Sequence, residues 1–198
     1  AIYRAGSYQI TVSTAETSVL ASTQTAGINV AVSGAGTWAK LQLLLPGENY
    51  DPGRGPYDTG ATGGRTASPT TVTAGTKVTP IVVRAVDQYW NTVTVSSDNF
   101  TIASYSDPNG TVVGLFPRNL TNGTTNFEFI FYTAASQQRV TVFPPNGSYV
   151  TSSTSAWVTV NPGSEHCVFA VLPGESHVPG KAPYAASNSC NQPMGGKN

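Results

Sequence analysis

The chain has 198 residues, ten basic and ten acidic side chains, and a formal net charge of zero. Only 10% of its residues are charged, against about 25% in an average soluble domain, which removes the electrostatic attraction that drives binding to nucleic acids or anionic membranes. The 45 Ser and Thr residues, with 20 Gly and 14 Pro, exclude coiled coils and helical bundles and indicate an all-β chain with many turns.

The first elements expected along the chain are two strands at residues 8–13 and 27–33. Their characteristic apolar residues are Ile10, Val12, Val30 and Val32. A hairpin of this size is only marginally stable in water, and its open edges and apolar face favour pairing with another chain. We therefore expect residues 1–36 to be the last strands of an incomplete unit.

A complete unit is expected over residues 37–162. Because side chains alternate between the two faces of a strand, Ala39, Leu41, Leu43 and Leu45 are expected on one face of its first strand, residues 38–45. Lys40 and Gln42 lie on the opposite face, and Lys40 is expected to face water. Residues 46–67 follow as a connector of Gly, Pro, Asp and Thr without periodicity.

Further strands are predicted from short runs of β-branched and aromatic residues between turn signals. They cover residues 70–73, 78–86, 89–95, 99–104, 125–133, 139–143 and 155–160. Pro80 lies inside one of these runs and requires an edge position or a β-bulge, because proline donates no ladder hydrogen bond. Short antiparallel strands at this spacing are typical of a Greek-key β-sandwich.

A sequence repeat relates the beginning of this unit to the C-terminal part of the chain. Leu45-Pro46-Gly47-Glu48 and Pro52-Gly53-Arg54-Gly55-Pro56-Tyr57 recur with identical spacing as Leu172-Pro173-Gly174-Glu175 and Pro179-Gly180-Lys181-Ala182-Pro183-Tyr184. The long period of this repeat fits tandem sandwich domains and does not fit a solenoid. Residues 163–198 then hold the first strand of a following unit, at residues 166–172, and a tail. The apolar residues of that strand include Val168, Ala170 and Leu172.

Both ends of the chain therefore carry β-edges that the chain does not satisfy by itself. Either the chain is cut from a longer tandem array, or neighbouring copies complete its ends. In the second case, residues 1–33 form an acceptor hairpin and residues 166–172 are the strand that is passed to a neighbour.

Two features suggest an oxidising, extracellular setting. Cys167 and Cys190 match no metal-binding pattern and are expected to form a disulfide, which would stabilise the fold by roughly 3 kcal/mol in the chain-entropy account. Five Asn-x-Ser/Thr triplets are candidate glycosylation sites, and the alternative is that they are ordinary loop asparagines. They begin at Asn99, Asn109, Asn119, Asn122 and Asn146.

The sequence offers few groups for catalysis or metal binding. No acidic residue lies in a calcium-loop motif of the EF-hand type, and the two histidines, His166 and His177, have no accompanying nucleophile motif. We expect no enzymatic activity, no cofactor and no metal site. Asp87 and Asn91 flank a turn, where such side chains usually bond to the local backbone.

Several segments are similar to a known family. Ala85-Val86-Asp87-Gln88-Tyr89-Trp90-Asn91-Thr92-Val93, preceded by Ala74-Gly75-Thr76, resembles the strand-and-turn signature of bacterial immunoglobulin-like repeats. Gly6-Ser7-Tyr8-Gln9-Ile10-Thr11-Val12 is similar to the penultimate strand of such a domain, and the Leu-Pro-Gly-Glu connector to that of tandem versions. The resemblance implies an immunoglobulin-like sandwich in an extracellular spacer, adhesin, filament or stalk, without catalytic residues. The paired cysteines and the fractional first unit depart from the family pattern.

These observations predict a structural subunit of an extracellular filament or surface appendage. It would assemble head to tail with copies of itself by β-strand complementation. No membrane span is expected, because no apolar run reaches about 18 residues, and no nucleic-acid partner is expected. The alternative is an adhesin or carbohydrate-binding module of a larger secreted surface protein. In that case Tyr50, Tyr57 and Trp90, which lie in or near loops, would stack on surface glycans, although such rings more often pack in the core.

Overall fold

A computed structural model describes residues 1–9, 11–12, 23–24, 27–31, 38–58, 62–94, 98–104, 106–145, 150–184 and 195–198. These residues form strands, turns and loops and contain no helix, so the prediction of an all-β chain is confirmed. No helix in this described part is long and apolar enough to cross a membrane.

Seventeen strands lie within the described residues. They are β1 (Gly6–Tyr8), β2 (Thr11–Val12), β3 (Thr23–Gln24), β4 (Ile28–Val30), β5 (Lys40–Leu44), β6 (Asn49–Tyr50), β7 (Arg65–Thr66), β8 (Val72–Thr73), β9 (Lys77–Val86), β10 (Asn99–Ser104), β11 (Thr111–Val113), β12 (Arg118–Asn119), β13 (Thr124–Ile130), β14 (Ala135–Gln138), β15 (Val140–Phe143), β16 (Ser153–Thr154) and β17 (Val158–Asn161).

Strands β5 to β17 form a sandwich-like fold around one hydrophobic core. One sheet has the strand order β11-β13-β9-β5, a second has the order β12-β10-β15-β16, and a third has the order β14-β17-β8. Side chains from all three sheets meet in the core, and each buried aliphatic or phenyl group contributes about 1.5–3 kcal/mol. The core includes Leu41, Leu43, Ile81, Val83, Phe100, Phe127, Phe129, Val140, Val142, Val158 and Val160.

The proline in β9 lies at a β-bulge, as predicted. Strand β9 is a central strand between β13 and β5. Its pairing with β13 shifts register, because Ile81 lies opposite Phe127 whereas Val78 lies opposite Phe129. Two residues of β9, one of them Pro80, therefore face a single residue of β13, and this arrangement tolerates a residue without an N–H group.

Residues 89–95 do not form the predicted strand. The Asp87 carboxylate accepts the backbone N–H groups of Tyr89 at 2.8 Å and Asn91 at 2.8 Å, and these bonds reverse the chain direction. Trp90 takes a positive φ of 71° in this turn. Thr92 pairs with Val86 as an isolated bridge, and Val95, the last residue of the predicted strand, lies outside the described residues.

One edge of the fold differs from the antiparallel arrangement that the sequence predicts. The short strand β8 lies within the predicted run at residues 70–73, and it pairs with β17 in parallel. Val72 lies opposite Val160 in this pair. The long chain path between β8 and β17 supplies the crossover connection that a parallel pair requires.

The four N-terminal strands pair in the same order as the last four strands of the chain. Strand β2 pairs with β3 with Thr11 opposite Gln24, and β15 pairs with β16 with Thr141 opposite Thr154, so that both partners are displaced along the chain by the same interval. Likewise β1 pairs with β4, and β14 pairs with β17. The β14–β17 pair contains a register shift that the β1–β4 pair lacks.

Candidate functional site

The connector after β5 folds back over the outer face of its sheet. We name its described residues, 45–58 and 62–66, the first connector. Gln42 on β5 donates its side-chain amide to Gly64 O at 2.8 Å, and Lys40 Nζ donates to Tyr57 O at 2.7 Å and Asp58 O at 3.3 Å. The prediction that Lys40 faces water is therefore wrong. Lys40 and Gln42 are both buried, because the connector covers the face that alternation assigns to solvent.

Trp90 fills the space between β5 and the first connector. We name the residues around its ring, Lys40, Gln42, Pro56, Gly63 and Gly64, the first socket. The indole N–H donates to Pro56 O at 2.7 Å, and Lys40 Nζ lies 3.5 Å from the centre of the ring, within cation–π range. A Cβ atom at Gly63 would lie 2.6 Å from Trp90 Cε2, so the ring fits only against glycine.

An ion pair closes the first connector. Arg65 Nη1 lies 2.8 Å from Glu48 Oε1, and both side chains are almost fully buried. Glu48 Oε2 also accepts the backbone N–H of Leu45 at 2.8 Å. The carboxylate thus joins the beginning of the connector to β7, and a buried pair of this kind is costly to break, because either partner alone would remain an uncompensated charge.

Burial also changes the acidity of the lysine in the first socket. Removal from water lowers the pKa of Lys40 to about 8, and the nearby carboxylates of Asp58 and Asp87 oppose this shift. The ammonium is stabilised by two carbonyl groups and the Trp90 ring. Through these contacts Lys40 has a structural role, because it links the first connector and Trp90 to strand β5.

Residues 3–5 of the N-terminal segment dock on the first connector. Asn91 donates its side-chain amide to Tyr3 O at 2.9 Å and accepts the N–H of Ala5 at 2.7 Å. The ring centre of Tyr3 lies 5.0 Å from that of Tyr57. The sequence predicts local bonding at the Asp87–Asn91 turn, which is present, but it gives no signal for the contact that Asn91 makes with the distant N-terminal segment.

The repeated sequence near the C-terminus has the same local structure. We name its described residues, 172–184 and 195–198, the second connector. Leu172 N donates to Glu175 Oε2 at 2.8 Å, as Leu45 N does to Glu48. The hydroxyl of Tyr184 donates to Gly180 O at 2.8 Å, and Tyr57 makes the equivalent bond at 2.7 Å.

The second connector is also closed in the same way. Lys197 Nζ lies 2.9 Å from Glu175 Oε2, in the position that Arg65 occupies beside Glu48. His177 forms a bridge with Lys197, as Tyr50 pairs with Arg65. The sequence signal for this closure is the pattern of two glycines followed by a basic residue, at residues 63–65 and 195–197, which the Leu-Pro-Gly-Glu repeat alone does not reveal.

Each connector docks on a segment that begins with a tyrosine. Tyr132 stacks on Tyr184 with a ring-centre distance of 4.3 Å, as Tyr3 contacts Tyr57. A Cβ atom at Gly180 would lie 2.9 Å from Thr133 N, and one at Gly53 would lie 2.7 Å from Arg4 N. Glycine is therefore required at the tip of both connectors for the close approach of the docked backbone.

A cavity of about 550 Å³ lies at the second connector. Five of its lining residues are Cys167, Phe169, Pro183, Gly195 and Gly196. Tyr132 and Ala74, from the body of the sandwich-like fold, line another part of it. Its volume falls within the range of about 300–1,000 Å³ that is usual for ligand sites.

The residues predicted to take part in assembly are partly exposed. Residues 162–172, all of them described, form no strand, and Val168, Ala170 and Leu172 are exposed. The predicted strand at residues 166–172 is therefore not formed, because a strand needs a neighbour for its backbone hydrogen bonds. Val30 is half-buried in β4, and Val12 belongs to β2. Ile10 and Val32 lie outside the described residues.

The covalent modifications stay predictions. The described residues contain no free cysteine, but Cys190 lies outside them, so its predicted pairing with Cys167 is untested. Of the candidate glycosylation sites, Asn119 and Asn122 are exposed, and Asn99 and Asn109 are half-buried. Asn109 donates its amide to Pro179 O at 3.2 Å. Asn146 also lies outside the described residues.

The three candidate glycan-contact residues lie at the first connector. Tyr50 and Tyr57 are half-buried, and Trp90 is buried within the first socket. The Tyr50 hydroxyl donates to Trp90 O at 2.8 Å and accepts the N–H of Thr92 at 2.9 Å. These contacts give Trp90 and Tyr50 a packing role, and the predicted glycan contacts remain untested.

The chemistry of the described residues and the comparisons with known proteins add no assignment. Within the described ranges, no group of three or more His, Cys, Asp and Glu side chains is placed to hold a metal ion. No family model matches the chain, and no curated protein sequence matches it.

Proposed function

We propose that the chain is a structural segment of an extracellular filament or surface appendage. In this proposal, tandem immunoglobulin-like Greek-key sandwiches follow one another head to tail. Residues 1–36 are the last strands of one unit, residues 37–162 are a complete unit, and residues 163–198 begin the next. The shared strand pairing of β1–β4 and β14–β17, and the shared hydrogen bonds of the two connectors, support this division.

The observation that carries the proposal is the difference in burial between the two copies of the first strand. Leu41 in β5 is 1% exposed, whereas Val168, its counterpart in the repeat, is 99% exposed. At the N-terminal end, Ile28 in β4 is exposed and Val158 in β17 is buried. Covering such apolar groups is favourable by about 25 cal/mol per Å². We therefore propose that β-strands of neighbouring subunits pair with these ends and cover them.

The connectors give such an assembly a defined joint. Each connector lies against the tyrosine-containing segment that corresponds to the preceding unit, namely residues 3–5 for the first and residues 132–134 for the second. Stacked rings and backbone contacts hold the joint, together with the exposed Arg4–Asp51 ion pair at the first connector. Because salt screens only this exposed pair, we expect the joint to depend weakly on salt. The proposed role needs no cofactor and no catalytic residue.

Sedimentation velocity over a range of protein and salt concentrations tests the proposed assembly. We expect association that increases with protein concentration and persists at high salt. Val168→Lys should weaken it, because a charge on the pairing strand must be desolvated. Leu115→Lys is a matched control, because Leu115 is 90% exposed but lies far along the chain from both ends. A monomer at all concentrations, or equal behaviour of the two variants, would contradict the proposal.

A carbohydrate-binding role is the second candidate, and one surface cluster favours it. The rings of Tyr3, Tyr57 and Tyr89 lie 5.0 to 5.4 Å apart, and Tyr3 is exposed. Adjoining aromatic faces are suitable for stacking on sugars. A glycan array probed with the wild-type chain and with Tyr3→Ala tests this role. It predicts a signal that the variant loses, and the absence of any signal would exclude the glycans on the array.

A further inference from the structure

We propose that the cavity at the second connector binds a tryptophan side chain, which another polypeptide presents on a turn like that of residues 87–91. This inference rests on the proposed tandem assembly and adds a specific contact to it. It follows from the correspondence between the cavity and the first socket, whose occupant is Trp90.

The cavity and the first socket are lined by corresponding positions. In the alignment that superposes the two Leu-Pro-Gly-Glu motifs, Cys167, Phe169 and Pro183 correspond to Lys40, Gln42 and Pro56, respectively. Gly195 and Gly196 take the place of Gly63 and Gly64. All five of these second-copy residues line the cavity, so the positions that surround the Trp90 ring in the first copy also surround this cavity.

Backbone hydrogen bonds establish the correspondence of the glycines. Gly196 N donates to Lys181 O at 3.0 Å, as Gly64 N donates to Arg54 O at 2.9 Å. Gly196 also accepts the N–H of Val178, as Gly64 accepts that of Asp51. The floor of the cavity is therefore held in the same conformation as the floor of the first socket.

His166, His177 and Lys181 line part of the cavity, and the part that corresponds to the first socket is apolar and suits an indole ring. Phe169 approaches the backbone of Gly196, and a Cβ atom there would lie 3.6 Å from its ring. Gln42 approaches Gly64 in the same way in the first copy. Phe169 and Cys167 replace Gln42 and Lys40, so the second site offers more apolar contact. Pro183 O takes the place of Pro56 O, which accepts the indole N–H of Trp90.

The docking partner is further defined by the residues around Trp90. Asn91, the next residue, bonds to Tyr3 O and Ala5 N, and Tyr132 O and Ala134 N are the corresponding atoms beside the second connector. Strand β9 precedes the turn and pairs with β5. Residues 167–171 are the counterpart of β5, so a strand of the partner would pair with them. The partner is therefore a strand followed by an Asp-x-x-Trp-Asn turn. Trp90 of another copy does not serve while it is folded, because it is buried in its own socket.

A synthetic peptide tests the inference. The probe has the sequence of residues 77–93, which contains the strand and the turn, and its matched control carries Trp90→Ala. Binding to the full 198-residue chain is measured by isothermal titration calorimetry. We expect the tryptophan peptide to bind at least about 30-fold more tightly than the control, since a buried aromatic anchor contributes at this level.

Two variants of the chain locate the effect. Phe169→Glu introduces a carboxylate into the cavity and should abolish the difference between the two peptides. Val168→Glu places the same charge on the adjacent residue, which does not line the cavity, and should preserve that difference even if both peptides bind more weakly.

The outcomes that would contradict the tryptophan site differ from those that would contradict the proposed assembly. Equal binding of the two peptides would overturn the tryptophan site while supporting strand pairing. Binding of neither peptide would also overturn the inference, and the sedimentation experiment would then decide the assembly proposal independently. An equal loss of tryptophan dependence in Phe169→Glu and Val168→Glu would show that the cavity does not bind the ring.

Discussion

The first and second connectors share their hydrogen bonds and differ in their burial. Both begin with a Leu-Pro-Gly-Glu turn in which the glutamate accepts the leucine N–H at 2.8 Å. The residues before the first connector form the buried strand β5, and the connector packs against β5 and Trp90. The corresponding residues before the second connector form no strand and are exposed. The comparison indicates that the turn is specified locally, and that its burial depends on strands contributed from elsewhere.

The closing ion pairs follow the same division. The Arg65–Glu48 pair is almost fully buried, with side-chain exposures of 4% and 1%, whereas the values for Lys197–Glu175 are 15% and 29%. Arginine suits the buried position, because a guanidinium group is more weakly hydrated than an ammonium group and is therefore less costly to bury. Its Nη1 atom donates to both oxygens of Glu48. Lysine occupies the position where the pair is only partly buried. The same contact therefore has different energetic consequences at the two connectors.

Among the substitutions that test this difference between the connectors, removal of the Trp90 ring should lower the free energy of unfolding most. Trp90→Ala leaves a cavity in the first socket and should lower the free energy of unfolding by about 3–5 kcal/mol. The measurement is urea unfolding followed by far-UV circular dichroism. Trp157→Ala is the matched control, because Trp157 is partly exposed beside Arg139 and should cost less than about 1 kcal/mol. Equal losses in the two variants would contradict a structural role for the socket.

Neutralising the carboxylate of each closing ion pair should give the second-largest difference in stability between the two connectors. Glu48→Gln leaves the buried Arg65 without its counter-charge and should cost about 3 kcal/mol. Among the described residues, Arg65 Nε and Nη2 already have no hydrogen-bond partner, so the guanidinium has little else to stabilise it. Glu175→Gln should change stability less, because this ion pair is only partly buried and Lys197 Nζ also donates to Ala170 O. Urea unfolding of both variants measures the difference, and similar losses would show that burial does not separate the two pairs.

The sequence predicts those features of the fold that are determined by residues close together in the chain. The all-β class follows from composition, the bulge at Pro80 follows from the missing N–H group, and the Asp87 turn follows from side-chain bonding to the backbone. The core-facing leucines of β5 follow from alternation. Each of these features depends on a few neighbouring residues, which a single sequence displays.

The candidate site is less accessible to such reasoning because it depends on contacts between distant residues. Alternation places Lys40 in water only if nothing covers the outer face of β5, and the cover comes from a connector without periodicity. Gly63 and Trp90 fit together in three dimensions, but neither residue type indicates this partner. Residues 166–172 form no strand in the single chain for a related reason, because strand-forming sequence alone does not supply a neighbouring strand.

Alanine substitution of equivalent glycines separates local strain from packing. Gly47 and Gly174 have φ angles of 96° and 93°, so both substitutions introduce similar backbone strain, of about 1 kcal/mol. A Cβ atom at Gly47 would also lie 2.7 Å from Thr70 N, whereas one at Gly174 has no atom within 4 Å in the described structure. We expect Gly47→Ala to cost about 2 kcal/mol or more and Gly174→Ala to cost less. Urea unfolding that ranks them in the opposite order would contradict the role of packing.

The smallest expected effect is a pH dependence of the free energy of unfolding, which Lys40 produces beneath the first connector. The folded-state pKa of Lys40 is about 8, below the value of about 10.4 for an unfolded chain. Between these values the unfolded chain binds more protons than the folded chain. The free energy of unfolding should therefore rise with pH, by at most about 1.4 kcal/mol per pH unit.

Urea unfolding between pH 7.5 and about 9.5, before tyrosines titrate appreciably, measures this slope. Lys40→Met keeps a long apolar side chain but removes the titrating amine, so its slope should be flatter than that of the wild type. Lys77→Met is the matched control, because Lys77 is exposed and pairs with Glu128 at 3.0 Å, and its slope should match the wild type. If Lys40→Met retained the full slope, the burial of this amine beneath the first connector would not be the cause of the pH dependence.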